Sequence, residues 1–214
     1  MDLDEGRSKL VNYLERNGFI RSPDIREAFL SVRREHFIPS DIASLSYEDT
    51  PLPIGEGQTI SAPSMIAIML EVSDLGKGMK VLEVGAGSGY NACLLAHIVG
   101  SGNVTSIERI GPLLELARSN LRNCPRDVEL VLGDGTLGYE ANAPYDRIII
   151  TAASPDFPSP LIGQLKVNGK IIAPIGRDRM LQRLKVGTKA EDGNLLVKSH
   201  GSCVFVPLIG KFGF

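Results

Sequence analysis

The sequence predicts an α/β fold, a doubly wound and mostly parallel sheet, on three observations. From Gly76-Lys77-Gly78 onward, short apolar runs alternate with segments of helical periodicity, the pattern of strands joined by crossover helices. The first run, Val81-Leu82-Glu83-Val84, passes directly into the glycine-rich turn Gly85-Ala86-Gly87-Ser88-Gly89 and then a helix. The next runs end in Glu108, in Asp134 and at Thr151. In a parallel sheet these ends share the carboxyl edge, where open α/β sheets bind ligands.

The elements follow in order. Leu10, Val11 and Leu14 stand at helical spacing and predict a helix over 4–18, closed by Gly18. Ser22-Pro23-Asp24 starts a second helix with an apolar stripe of Ile25, Ala28, Phe29 and Val32. Pro39 and Pro51-Leu52-Pro53 interrupt regular structure, 55–63 reads as loop, and 64–72 reads as helix with Pro63 in its first turn. Core strands are expected at 80–84, 104–107, 128–132, 147–151 and 170–173, with helices at 90–99, 112–123 and 158–165. Two longer strands, 180–186 and 195–206, are joined by Glu191-Asp192-Gly193-Asn194 and should finish the sheet as an antiparallel hairpin. The expected organisation is one domain over 1–214. Its N-terminal helical and loop region covers 1–75, and a cofactor-binding core with the C-terminal hairpin covers 76–214.

Composition excludes several classes. A chain of 214 residues, 43% apolar and 22% charged, is ordinary for one globular domain and poor for disorder. A net charge of −2 gives no footprint for nucleic acid. The basic stretches Arg33-Arg34 and 177–183 are short and read as solvated surface. Cys93, Cys124 and Cys203 are odd in number, far apart and without metal-ligand spacing, so neither a zinc site nor a disulfide framework is expected. No apolar run reaches the length of a membrane span, and no secretory pattern opens the chain. A cytoplasmic, reducing setting is the default expectation.

Glycine in the 85–89 turn permits positive φ angles and close approach of backbone to a cofactor. Glu108 stands where a carboxylate can accept from both hydroxyls of a ribose, and Asp134 where one can accept from an adenine amino group. The glycine spacing is G-x-G-x-G, not the G-x-G-x-x-G that sets a pyrophosphate on a helix N-terminus. Glu83, two residues before the first glycine, would repel a pyrophosphate but suits a ligand bearing an ammonium and a sulfonium. These features favour S-adenosylmethionine over a nicotinamide dinucleotide. They leave open a methyltransferase of unspecified substrate, a non-catalytic cofactor-binding module and, less well, a dehydrogenase.

Residues 81–90, Ile107-Glu108, Gly133-Asp134-Gly135 and 165–176 resemble the motif series of class I S-adenosylmethionine-dependent methyltransferases, which implies a Rossmann-like sheet. The block Leu52-Pro53-Ile54-Gly55-Glu56-Gly57-Gln58-Thr59-Ile60-Ser61-Ala62-Pro63-Ser64-Met65 resembles the signature of protein-L-isoaspartate O-methyltransferases. So do Arg34-Glu35-His36-Phe37-Ile38-Pro39 and Phe205-Val206-Pro207-Leu208. Arg33, where the family usually has proline, and Ser64, often a bulkier residue there, depart from the pattern. The resemblance implies methyl transfer to the free α-carboxylate of L-isoaspartyl residues in damaged proteins. The ester then closes to a succinimide that can reopen to aspartate. It also implies site residues. Thr59, Ile60, Glu83, Gly85, Gly87, Gly89, Glu108, Asp134 and Gly135 would hold S-adenosylmethionine. Ser61 would position the reacting carboxylate, although it also suits an N-cap of the following helix, and Val206 would offer backbone groups to the substrate. The expected partners are isoaspartyl-containing proteins and peptides, with no nucleic acid, membrane or metal, acted on by a monomer. The chemistry is undemanding of bases: a carboxylate with a pKa of about 3.5 is already ionised at neutral pH. Accordingly His36, His97 and His200 form no recognisable catalytic pairing.

Overall fold

A computed structural model describes residues 2–178 and 181–214. Helices α1 (Leu3–Arg16) and α2 (Pro23–Ser31) open the chain, followed by short 3-10 turns at Arg34–Phe37 and Ser40–Leu45. A small hairpin, β1 (Leu52–Gly55) and β2 (Gln58–Ile60), leads into α3 (Pro63–Ser73). The core then alternates: β3 (Val81–Val84), α4 (Tyr90–Val99), β4 (Val104–Glu108), α5 (Gly111–Asn120), β5 (Glu129–Leu132), β6 (Tyr145–Ile150), α6 (Ser159–Gln164) and β7 (Leu165–Asp178). Strands β8 (Leu181–Lys189) and β9 (Leu195–Cys203) complete it.

The seven strands lie in the order β5-β4-β3-β6-β7-β8-β9. The pairs β3–β4, β3–β6, β4–β5 and β6–β7 are parallel; β7–β8 and β8–β9 are antiparallel. The expected α/β architecture, with its antiparallel end, is what forms. Connections leave β3 on one side toward β4 and return on its other side as β6, so the sheet's switch point lies at the end of β3. That is where a crevice opens in doubly wound sheets. All four residues of β3 and all five of β4 are buried, as strands covered on both faces must be.

Three local expectations change. The expected loop at 55–63 includes the turn and the second strand of the β1–β2 hairpin. Glu56 and Gly57, at φ 53° and 68°, make its tight turn, and prolines beside so short an apolar alternation hid it from the sequence. Strand β7 is much longer than 170–173, because it pairs β6 along one edge and β8 along the other. The last strand stops at Cys203. Beyond it Pro207 pairs with Ala153, and Val206 O and Leu208 N bond to Ala153. The expected start of β8 at Met180, and Arg179 of the basic stretch, lie outside the described residues.

Two further corrections concern side chains. Arg34 is not solvated surface; it is fully buried. Cys93 on α4 and Cys124 after α5 form a disulfide, leaving Cys203 free and buried. Sequence separation hid the pair, because α4 and the turn after α5 meet only once both crossover helices are packed on the same sheet. Closing a loop with a sequence separation of 31 should stabilise the fold by about 3.7 kcal/mol in the chain-entropy account. Replacing both cysteines with serine should therefore lower the melting temperature by several degrees, about 2–4 °C per kcal/mol, while sparing turnover. An unchanged melting curve would show that the bond contributes nothing in solution. Among the described residues no helix is long and apolar enough to cross a membrane, and no cluster of His, Cys, Asp or Glu could hold a metal.

Candidate active site

A cavity opens at the carboxyl edge over β3. Its floor is the glycine turn, with Val84, Gly85, Ala86, Gly87 and Ser88 on its lining. Gly85 has φ 100°, and a Cβ there would sit 2.5 Å from Thr151 Oγ1. That hydroxyl lies at the end of β6, 3.0 Å from Val84 O and 2.8 Å from Gly85 O, and so ties the two central strand ends together. Gly87 has φ 53°, a backbone conformation that strains a branched residue, and a Cβ there would stand 3.3 Å from Ile54 Cδ1 of the β1–β2 hairpin.

Glu108 closes one side of the cavity. One carboxylate oxygen accepts from Gly87 N–H at 3.0 Å and the other from Ile110 N–H at 2.9 Å. The group is only 6% exposed, yet it lines the cavity. Each oxygen thus has one bond fixed and lone-pair capacity left for a ligand. Apolar Ile107, Ile110 and Leu113 flank it, and Gly135, opening the 3-10 turn after β5, completes that wall. A Cβ on Gly135 would collide with Val84 Cγ1 at 2.4 Å. A planar ring against apolar walls with a ribose diol on Glu108 fits this donor set.

The opposite wall comes from the hairpin and the C-terminal segment: Thr59, Ile60, Ser61, Val206, Pro207 and Leu208. Ala62, with no side-chain cap bond, is the N-cap of α3, so Ser61 does not take that role. The Ser61 hydroxyl bonds to none of the described residues and lines the cavity. Val206 gives its carbonyl to Ala153 N–H at 2.8 Å.

Two expected contacts stand behind the wall. Glu83 is fully buried beneath the turn and does not line the cavity. Its oxygens accept from Asn91 Nδ2 at 2.7 Å and from Ser106 Oγ. Burial pushes its carboxyl up to about 7, against the pull of the Ser106 and Asn91 hydrogen bonds. Asn91, by contrast, does line the cavity, so Glu83 reaches it through that amide. Asp134 is likewise absent from the lining. One of its oxygens accepts from Thr136 N–H and Oγ1 at 2.9 and 2.7 Å, and the other from Lys211 N–H at 2.8 Å. Burial opposes its ionisation, but the bonds from Lys211 and Thr136 outweigh this and hold its carboxyl below the usual range. Its work here is to fasten the C-terminal segment, whose approach no local sequence signal announces. Gly89 also lies off the cavity, as the left-handed N-cap of α4. Sequence reasoning missed Asn91, Arg109 and Thr151 as lining residues, and only the strand-end position of Thr151 could have suggested them.

The profile of the family described as protein-L-isoaspartate(D-aspartate) O-methyltransferase matches residues 5–213. The chain belongs to this family. It is 52% identical to the protein-L-isoaspartate O-methyltransferase of Hyperthermus butylicus, over 98% of this chain and 91% of that one. It is 51% identical to that of Methanopyrus kandleri, over 97% and 93%. A solved protein-L-isoaspartate O-methyltransferase superposes with a TM-score of 0.87 at 33% identity, covering 97% of this chain and 67% of the other. A Plasmodium falciparum structure, described as a putative member in complex with S-adenosyl-L-homocysteine, superposes at 0.82 and 28% identity, covering 94% and 97%.

As a member of the isoaspartate methyltransferase family, the protein should depend on its glycine turn in a measurable way. Gly87→Val places a β-branched residue at φ 53° against Ile54 and tilts the N–H that Glu108 accepts. Calorimetry should then show loss of S-adenosylmethionine binding in a protein that retains its circular dichroism. Affinity equal to that of the unaltered chain would remove the turn from the cofactor site.

Proposed function

We propose that one cavity carries the whole reaction: transfer of a methyl group from S-adenosylmethionine to the free α-carboxylate of an L-isoaspartyl residue, leading to succinimide and back to aspartate. The observation behind this reading is the meeting of two halves. The Gly85–Glu108 half suits an adenosyl group, and the Ser61–Val206 half presents polar groups with no other partner.

In this reading Glu108 accepts from the ribose hydroxyls, while Gly85, Gly87 and Gly135 admit the cofactor backbone-close. Thr59 and Ile60 cover it from the hairpin. Glu83 acts through Asn91, Asp134 through the C-terminal segment and Gly89 through the start of α4, none by direct contact. When bound, S-adenosylmethionine supplies an electrophilic methyl group on a positively charged sulfur. Ser61 Oγ donates to one oxygen of the substrate carboxylate and aims the other. Val206 N–H, which bonds to none of the described residues, is free to hold substrate main chain. Recognition through backbone suits damaged sites of varied sequence. No general base is needed, since the nucleophile is already ionised. Alignment and exclusion of water do the catalysis. The same proposal has a monomer working in the cytoplasm on isoaspartyl proteins and peptides.

The product identifies the reaction. An isoaspartyl peptide incubated with methyl-labelled S-adenosylmethionine should give an α-carboxyl ester that releases methanol in mild alkali as the succinimide closes. A methyl mark that survives alkali, as an amine or ether would, contradicts the proposal and leaves a methyltransferase of another substrate class.

A further inference from the structure

The buried Arg34 has no place in the site as described so far. It is fully buried, and it forms no ion pair among the described residues. Its Nη1 donates to Ser46 O at 2.6 Å and, weakly, to Glu48 O at 3.5 Å. Its Nη2 donates to Thr50 O at 3.2 Å and to Ser61 O at 3.1 Å. Its Nε meets no acceptor. Burial accordingly lowers its affinity for its proton.

Such a group is a poor way merely to fill volume. A buried cation loses its hydration, and apolar residues of similar size commonly serve a core as well or better. What a guanidinium supplies is a rigid planar fork that several carbonyls can share at fixed angles. Here the fork joins three carbonyls of one loop, Ser46, Glu48 and Thr50, to the carbonyl of Ser61 on the cavity wall. A second tether runs the other way: Asp49 Oδ1, from the same loop, accepts from Ser64 N–H at 2.8 Å. The two tethers thus hold the chain at Ser61 itself and three residues on, at Ser64. Because the Ser61 hydroxyl bonds to none of the described residues, its backbone sets the Cα–Cβ direction and only χ1 remains to be chosen.

We propose that Arg34, with Asp49 as second tether, is a positioning residue that fixes the Ser61 backbone and so aims the Ser61 hydroxyl at the reacting carboxylate. This rests on the proposed alignment role of Ser61. A lysine at position 34 keeps the charge but offers a single ammonium, which cannot span both loop and wall. Displacement of an aligning group by about an ångström is enough to cost on the order of 100-fold in rate.

A double-mutant cycle on kcat with an isoaspartyl peptide tests the inference. Arg34→Lys should lower kcat by about tenfold or more, with the S-adenosylmethionine dissociation constant and the melting temperature little changed. In a Ser61→Ala background the same substitution should have no further effect on kcat. A merely structural arginine would lower kcat by the same factor in both backgrounds, and that result overturns the inference, as does unaltered kcat in Arg34→Lys. Unaltered kcat in Ser61→Ala would instead sink the alignment role of Ser61 itself, and the inference with it. Should Arg34→Lys fail to fold, the exposed Asp49→Ala takes its place in the cycle. A loss present with Ser61 and absent without it supports the clamp; an additive loss, or none, overturns it.

Discussion

Glu108→Ala should weaken S-adenosylmethionine binding by about a hundredfold. Two charge-assisted hydrogen bonds to ribose hydroxyls are worth roughly 1.5–3 kcal/mol each, and water can replace part of that. A net loss of about 3 kcal/mol corresponds to about two decades in the dissociation constant. The protein side adds to the effect, because the same carboxylate accepts from Gly87 N–H and Ile110 N–H. Removing it frees the glycine turn and the start of α5 together. Titration calorimetry with S-adenosylmethionine reads the loss, and a dissociation constant equal to that of the unaltered chain would exclude Glu108 from the site. The unaltered protein should show no comparable affinity for NAD. Tight NAD binding would reverse the choice of cofactor that the G-x-G-x-G spacing favours.

The other large effect is discrimination between two peptides that differ only in which carboxyl is free. In the isoaspartyl peptide the nucleophile is the α-carboxylate. In the aspartyl twin the free carboxylate is carried one methylene further along the side chain, displaced by more than about an ångström relative to the main chain. With the substrate backbone held near Val206 and one oxygen held by Ser61, that displacement takes the nucleophile off the sulfur–methyl axis. Misplacement on this scale costs about 100-fold when alignment supplies the rate. The ratio of kcat/KM for the two peptides, measured as labelled methyl transfer, should therefore be about 100 or more. Equal rates would show that backbone and Ser61 do not align the carboxylate. Among the described residues no histidine lines the cavity, so no imidazole stands by to assist either peptide.

The sequence by itself determined the parallel core and the position of its crevice. Strand and helix periods of 80–173 are local patterns, and a glycine turn after an apolar strand needs no distant information to be read. It placed Glu108 at the carboxyl edge for the same reason: the last residue of a parallel strand lies at that edge wherever the strand sits in the sheet. It also separated the family, since the 52–65 block carries a dense local signature. What only tertiary structure decided are properties set by segments far apart in the chain. Glu83 and Asp134 read alike in sequence with Glu108, yet the first is capped by Ser106 and Asn91 and the second is claimed by Lys211. Which carboxylate faces the cavity depends on which backbone and side-chain donors arrive first from elsewhere. Cys93 and Cys124 became partners because two crossover helices share one face of the sheet. Arg34 passed for surface because arginine usually is surface. Its burial follows from four carbonyls, contributed by residues 12 to 27 positions away, that converge where no periodicity could place them. Local pattern fixes elements and edges; long-range hydrogen-bond satisfaction fixes which polar groups remain free to meet a ligand.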